Sequence, residues 1–157
     1  MIEIERKFEV PAASRGWRLE AVRSLSMKQG YFPGEEVSVR VRIAGEAAWL
    51  TVKSLGNGVS RPEFDYEIPV ADAEAMLAQF CGGRVIEKTR WYVPAAEPGL
   101  EWEVDEYHGP FAGHYTAELE IPDEGFVFRR PDWLGRELTL DPRYTNAALA
   151  VAQKWPE

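Results

Sequence analysis

The chain has 157 residues, enough for one domain with a sizeable core, and the apolar and charged fractions of a soluble globular protein. Its formal net charge of −8 argues against non-specific nucleic-acid binding, which needs an excess of Lys and Arg, and against docking on an anionic membrane. It leaves room for a small anionic ligand in a locally basic pocket, because net charge is blind to arrangement.

The single cysteine, Cys81, excludes an intrachain disulfide and a cysteine-based zinc site, and its place at the end of a predicted helix suits a buried thiol. There is no charged-then-apolar leader and no apolar run of about 18 residues. The expectation is a cytoplasmic protein in which residues 1–157 form a single domain.

The first ten residues, MIEIERKFEV, read as a strand, because side chains alternate between faces. Glu3, Glu5, Lys7 and Glu9 share one face, and Ile2, Ile4, Phe8 and Val10 the other, with Arg6 as an intruder. Trp17, Leu19, Val22 and Leu25 then suggest a short amphipathic helix within 12–25, followed by a strand over 26–32 and a Pro33-Gly34 turn.

Residues 36–44 alternate cleanly, with Val37, Val39, Val41 and Ile43 opposing Ser38, Arg40 and Arg42. After Gly45-Glu46, the 48–55 strand sets Leu50 and Val52 against Trp49, Thr51 and Lys53. Gly56-Asn57-Gly58 reads as a turn, and the 61–70 strand opposes Glu63, Asp65 and Glu67 to Phe64, Tyr66 and Ile68.

A helix is predicted over 71–80, opened near Asp72 and stopped by Gly82-Gly83. The strand over 84–93 puts Lys88, Arg90 and Tyr92 on one side. Its partner over 100–108 shows Glu101, Glu103 and Asp105 against Trp102 and Val104. Beyond Gly109-Pro110, the 115–121 strand sets Glu118 and Glu120 against Leu119 and Ile121. Last comes a helix from about Pro142, with Asp141 as N-cap. His108 and His114 read as hairpin-end residues rather than ligands, and the tryptophans as core.

Such a pattern suits an α+β protein on one large antiparallel sheet. The ionic faces are sorted by strand, with carboxylates mainly from the first, fifth, seventh and eighth and bases mainly from the third, fourth and sixth. A half-exposed sheet with a solvated face explains the alternation. A closed barrel with a charged lumen also explains the sorting and the scarcity of neutral polar residues. The lumen's complement would be a polyanion for the bases and hard divalent cations, Mg²⁺ or Mn²⁺, for the acids.

The ordered set Glu3-x-Glu5-x-Lys7, Arg40-x-Arg42, Thr51-Val52-Lys53 and Glu63-Phe64-Asp65-Tyr66-Glu67 resembles the CYTH superfamily, the triphosphate tunnel metalloenzymes. The resemblance continues through Lys88-x-Arg90-Trp91, Val104-Asp105, Ala117-Glu118-Leu119-Glu120, Trp133-Leu134-Gly135 and Asp141-Pro142-Arg143-Tyr144 with Asn146. It covers nearly the whole chain and is nearest to the short bacterial members. It implies a closed eight-stranded antiparallel tunnel with a charged interior, flanked by a few helices.

The resemblance also implies roles. Lys7, Arg40, Arg42, Lys53, Lys88 and Arg90 would grip phosphate oxygens, and Glu3, Glu5, Glu63, Glu118 and Glu120 would hold metal. Asp65 and Asp105 join the metal set, although Asp65 stands where relatives often carry the longer glutamate. Glu3, Glu5, Lys7, Glu63 and Lys88 would carry catalysis. Arg61 and Lys28 are peripheral phosphate contacts or surface charge, and Tyr144 and Asn146 either plug a tunnel end or pack.

The implied activity is metal-dependent hydrolysis of tripolyphosphate by a monomer or homodimer, with no nucleic-acid or membrane partner. The same scaffold serves class IV adenylyl cyclases and thiamine or nucleoside triphosphatases. A non-catalytic polyphosphate- or nucleotide-binding module is the reading of another class, disfavoured by the full set of carboxylates.

Overall fold

An alternating strand has one oily face and one ionic face, and a sheet that closes must choose which goes inside. A computed structural model, which describes residues 2–55 and 59–157, shows the ionic face inside. The predicted Gly56-Asn57-Gly58 turn lies outside the described residues. The strands are β1 (Ile2–Val10), β2 (Arg23–Tyr31), β3 (Val37–Ala44), β4 (Ala47–Ser54), β5 (Ser60–Ile68), β6 (Val85–Pro94), β7 (Glu101–Tyr107) and β8 (Tyr115–Glu120). They close into an antiparallel barrel in the order β1-β5-β4-β3-β2-β6-β7-β8, with helices α1 (Gly16–Glu20), α2 (Val70–Phe80) and α3 (Asn146–Ala152) outside it or across its end.

The register aligns the charged rows. Lys53 lies opposite Glu63, Lys7 opposite Glu118 and Arg90 opposite Asp105. Directly opposed residues point to the same face of a sheet, so acids and bases from different strands meet in the lumen. No helix among the described residues is long and apolar enough to cross a membrane.

The hydrophobic core therefore sits on the barrel's exterior. Fully buried Trp102 makes edge-to-face contacts with Phe8 (5.8 Å), Phe128 (5.7 Å) and Trp133 (5.6 Å), joined by Val10, Val104, Leu119 and Trp17. Arg6 stands in this apolar row over the Phe128 ring and binds Glu137 with Nε and Nη2, the latter at 2.7 Å from Oε1. A second cluster seats Ala73 and Leu77 of α2, with Cys81 at its C-terminal cap, on Val41 and Ala48. A third joins Leu149 and Ala150 of α3 to Tyr31, Ile86 and Tyr107, and so closes one end of the barrel.

The seam between β1 and β5 matters for the site. Among the described residues Ile2 to Ile4 pair with Ser60 to Pro62, and Glu5 N still donates to Val59 O (3.2 Å). Further along β1 the tail takes over. Glu9 N donates to Arg136 O (2.8 Å), Gly135 N to Glu9 O (2.7 Å) and Leu138 N to Lys7 O (2.8 Å). A Cβ on Gly135 would stand 2.8 Å from Glu9 O, so only glycine permits this approach.

Two expectations change. The helix predicted within 12–25 shrinks to α1, and Arg23 to Leu25 pair with Tyr92 to Arg90 in the sheet. Leu19 and Val22 are exposed at 91% and 62%, so the helical spacing there marks no buried face beyond Trp17. The tail helix is split: Asp141 caps a single 3-10 turn over 142–144, and Thr145 then opens α3 by accepting from Ala148 N at 3.1 Å. Elsewhere the flanking helices leave part of the exterior bare, with Phe64 and Tyr66 of β5 exposed at 51% and 59%.

The α2 contact rests on Gly30 of β2, where a Cβ would lie 2.6 Å from Cys81 Sγ and 2.7 Å from Leu77 Cδ2. Gly30→Ala should push α2 off the sheet and destabilise the fold by about 1–3 kcal/mol. The check is a lowered urea midpoint with unchanged slope; an unchanged midpoint would mean that α2 yields freely.

A charged tunnel as the candidate active site

The lumen holds a cavity of about 320 Å³. Glu3, Glu5 and Lys7 of β1 line it with Arg40 and Arg42 of β3, Lys53 of β4, and Glu63 and Asp65 of β5. Arg90, Glu118 and Glu120 complete the expected set at the surface of the cavity. Lys88 and Asp105 lie buried behind that wall, at 1% exposure each.

Behind the wall, Asp105 is wholly occupied. Its Oδ2 accepts from Lys88 Nζ (2.7 Å) and Arg90 Nη2 (2.9 Å), and its Oδ1 from Arg90 Nε (2.8 Å). Arg90 reaches on to Glu103 at 3.1 Å. Asp105 thus braces two cations, and both of its oxygens are spent on them. Asp65, exposed near the cavity rim, accepts from Thr51 Oγ1, which in turn accepts from Arg40 Nη2 at 3.1 Å.

The other bases are also held in place. Arg42 Nε donates to Gln29 Oε1 (2.9 Å), Lys7 Nζ to the Tyr144 carbonyl (2.7 Å), and Lys53 Nζ lies 2.9 Å from Glu3 and 3.4 Å from Glu63. Burial and the neighbouring Arg40 and Arg90 bring Arg42 down to about 10. Burial takes Lys88 down to about 7 in spite of Asp105.

The carboxylates form a second wall, and their titration is uneven. Burial and the adjacent Glu118 and Glu3 carboxyls push Glu5 well up. Burial and a hydrogen bond with Glu3 raise Glu63 to about 7. In Glu3, burial is outweighed by hydrogen bonds with Glu5 and Glu63 and by Lys53, and the carboxyl falls to about 2. Glu118 is held well down, with burial overcome by Lys7 and by its contact with Glu5.

Among the described residues, no three carboxylates converge into a ready-made metal cage. The donor set nonetheless fits a divalent ion. Its donors are all hard oxygens, Glu5 is driven towards its neutral form for want of positive charge, and Glu3 Oε2 is buried without a hydrogen bond of good geometry despite nearby Lys53. The buried Nε of Arg40 likewise lacks a partner, as expected of an anion site.

Other positions sort cleanly. Glu9 pairs loosely with Arg136 (3.5 Å), Lys28 faces outward opposite Ile43 and Glu87, and Arg61 faces the cavity. His108 bonds Thr89 at 2.8 Å, and His114 stacks on Trp155, both away from the cavity lining. Sequence reading missed Gln29, Tyr31 and the cavity lining from Leu138 to Ala147, apart from Tyr144 and Asn146. Gln29 and Tyr31 share the parity of the lumen face on β2, a signal obscured by the apolar Leu25 and Met27 on the same row.

A closed antiparallel barrel whose lumen sets an arc of bases against a wall of carboxylates defines a tunnel for an anion together with hard cations. The chain belongs to the CYTH family: the CYTH domain profile matches residues 1–149. It is 45% identical over 152 residues to an inorganic triphosphatase of Acetivibrio thermocellus, covering 94% of this chain and 92% of that one. It is 36% identical over 156 residues to an inorganic triphosphatase of Nitrosomonas europaea, covering 97% and 99%.

Among solved structures, a crystal structure of an inorganic triphosphatase superposes with a TM-score of 0.66 at 30% identity, covering 99% of this chain and 97% of that one. A plant protein from Hippeastrum, described as a putative adenylyl cyclase with dominant triphosphatase activity, shares the fold at 19% identity and TM-score 0.55, covering 77% and 80%.

Removing the brace leaves two cations buried together, so Asp105→Asn should cost about 3–5 kcal/mol in chemical denaturation. Asp105 is lowered from 3.8 to about 2, burial being overcome by Arg90 and Lys88, so its contribution is present above pH 3.8 and lost as pH falls towards 2. The wild-type protein should lose stability across that window, and the Asn variant should lose less.

Proposed function

We propose that this protein is an inorganic triphosphatase that hydrolyses tripolyphosphate to diphosphate and phosphate with Mg²⁺ or Mn²⁺. The observation that carries the reading is the meeting of two complementary walls in one tunnel, in a chain 45% identical to an inorganic triphosphatase. A phosphate chain needs the bases, and the facing carboxylates need hard cations. A module that only binds polyphosphate would need the bases far more than the acids. We further place the protein in the cytoplasm, as a monomer or homodimer acting on a small-molecule triphosphate.

In this reading Arg40, Arg42 and Arg90 hold phosphate oxygens through bidentate contacts, and Lys7 and Lys53 act as point charges. Glu3, Glu5, Glu63, Glu118 and Glu120 would hold the divalent ion. Asp65 joins them at the rim, while Asp105 keeps Arg90 and Lys88 aimed. When bound, the ion would neutralise phosphate charge and lower the pKa of a coordinated water. The fixed guanidinium groups stabilise the charge that develops on the transferred phosphoryl and the departing diphosphate.

Lys88, buried behind the cavity wall on Asp105, acts by positioning Asp105 and through it Arg90. The water oxygen bonds to the terminal phosphorus, the bridging P–O bond breaks towards diphosphate, and the proton goes to a carboxylate that lines the cavity. Glu3, Glu5 and Glu63 orient the water, and Lys7 holds the terminal phosphate.

Purified protein with Mg²⁺ or Mn²⁺ should release phosphate from tripolyphosphate faster than from ATP or thiamine triphosphate; production of cyclic AMP from ATP would favour the cyclase reading instead. Either ion should raise the melting temperature, and Glu5→Gln should remove that shift together with turnover. Lys53→Ala should weaken tripolyphosphate binding, and unchanged affinity would place Lys53 outside the phosphate site.

A further inference from the structure

The cations of the tunnel differ in one respect that their positions in sequence do not show. Five that line the cavity have a partner within hydrogen-bonding distance: Lys7 on Tyr144 O (2.7 Å), Arg40 on Thr51 (3.1 Å), Arg42 on Gln29 (2.9 Å), Arg90 on Asp105 (2.8 Å) and Lys53 beside Glu3 (2.9 Å). Arg61 lines the same cavity and makes no side-chain hydrogen bond among the described residues. Its one ion pair among the described residues, with Glu5, is at 4.0 Å, the outer limit of such a contact.

Position adds to this. Arg61 sits at the start of β5 directly opposite Glu3, two residues from Val59, another residue of the cavity lining. Its side chain is 22% exposed, against 7% for Arg90, 12% for Lys7 and 13% for Lys53. It is therefore nearer to solvent than these deeper bases. A guanidinium desolvated on most of its surface, yet left without an acceptor, is a poor structural element and a good receptor for an incoming oxyanion.

We propose that Arg61 is a substrate-binding residue at the tunnel mouth, which takes the outermost phosphate of a bound triphosphate and so selects three phosphates over two. The inference rests on the triphosphate reading of the tunnel. A diphosphate satisfies the deeper bases and does not reach Arg61. A triphosphate reaches it with its third phosphate, and the bidentate contact sets how deep the chain sits.

The experiment compares wild type, Arg61→Ala and Arg61→Lys with Mg²⁺, measuring tripolyphosphate turnover and competitive inhibition by diphosphate. Arg61→Ala should raise the KM for tripolyphosphate about 10- to 100-fold, the size of one charge-assisted contact, with a smaller change in kcat. The inhibition constant of diphosphate should stay within about threefold, and Arg61→Lys should recover part of the KM. A melting temperature close to that of wild type should accompany these changes, since no hydrogen bond is lost.

An unchanged KM overturns the proposal. So does an equal loss of diphosphate affinity, which would mark a general electrostatic effect, or a collapse of kcat at constant KM. Absence of tripolyphosphate turnover and binding in the wild type would instead overturn the triphosphatase reading itself, whatever the variants do.

Discussion

The arrangement depends on one constraint: a sheet that closes with its charged face inward must neutralise that charge within itself or through a ligand. Taking a lone ion out of water costs several kcal/mol, and pairing repays this only with good geometry. The Asp105 carboxylate is where the protein does this by itself, with both of its oxygens accepting from Lys88 or Arg90 at 2.7–2.9 Å. Around it the charges become progressively less well matched towards the cavity. Burial and the Glu118 and Glu3 carboxyls force Glu5 towards neutrality, and among the described residues Arg40 Nε makes no hydrogen bond while Glu3 Oε2 has only the Lys53 ammonium at 2.9 Å. The floor of the tunnel is stable without help, whereas its inner surface is built for something else to complete.

The same constraint explains the inverted core. With the lumen given over to charge, apolar burial moves to the outside, where Trp102 and its aromatic neighbours pack under α1 and the segment that follows β8. The C-terminal segment then does two jobs. Gly135 and Leu138 continue the hydrogen-bonding edge of β1 where β5 leaves it, and the stretch from Leu138 to Ala147 becomes tunnel wall. Through the Tyr144 carbonyl it also fixes Lys7, so a residue of the first strand is oriented by one of the last turns of the chain.

Much of this was legible in the residues. Every strand was placed to within a few residues, because period-2 alternation with a charged face is a strong signal. The sorting of acids and bases by strand pointed to a lumen, and the row Glu3-x-Glu5-x-Lys7 to one of its walls. Spacing failed where it described sterics rather than a real buried face. Leu19 and Val22 mimic a helical stripe in a stretch where only Trp17 is buried, and Thr145 breaks the tail helix by offering a second cap.

By itself the sequence determined which charged residues share a strand face, since parity along a strand is fixed once the strand exists. It could not say what each lumen residue touches, because contact across a barrel depends on register and shear between strands far apart in the chain. Only the tertiary structure decided that Asp105 braces Lys88 and Arg90, that the tail from Leu138 onward walls the tunnel, and that Arg61 is held in the cavity with no side-chain hydrogen bond among the described residues. The physical reason is the same in each case: alternation is a local property of the backbone, whereas the pairing of buried charges is settled when the sheet closes.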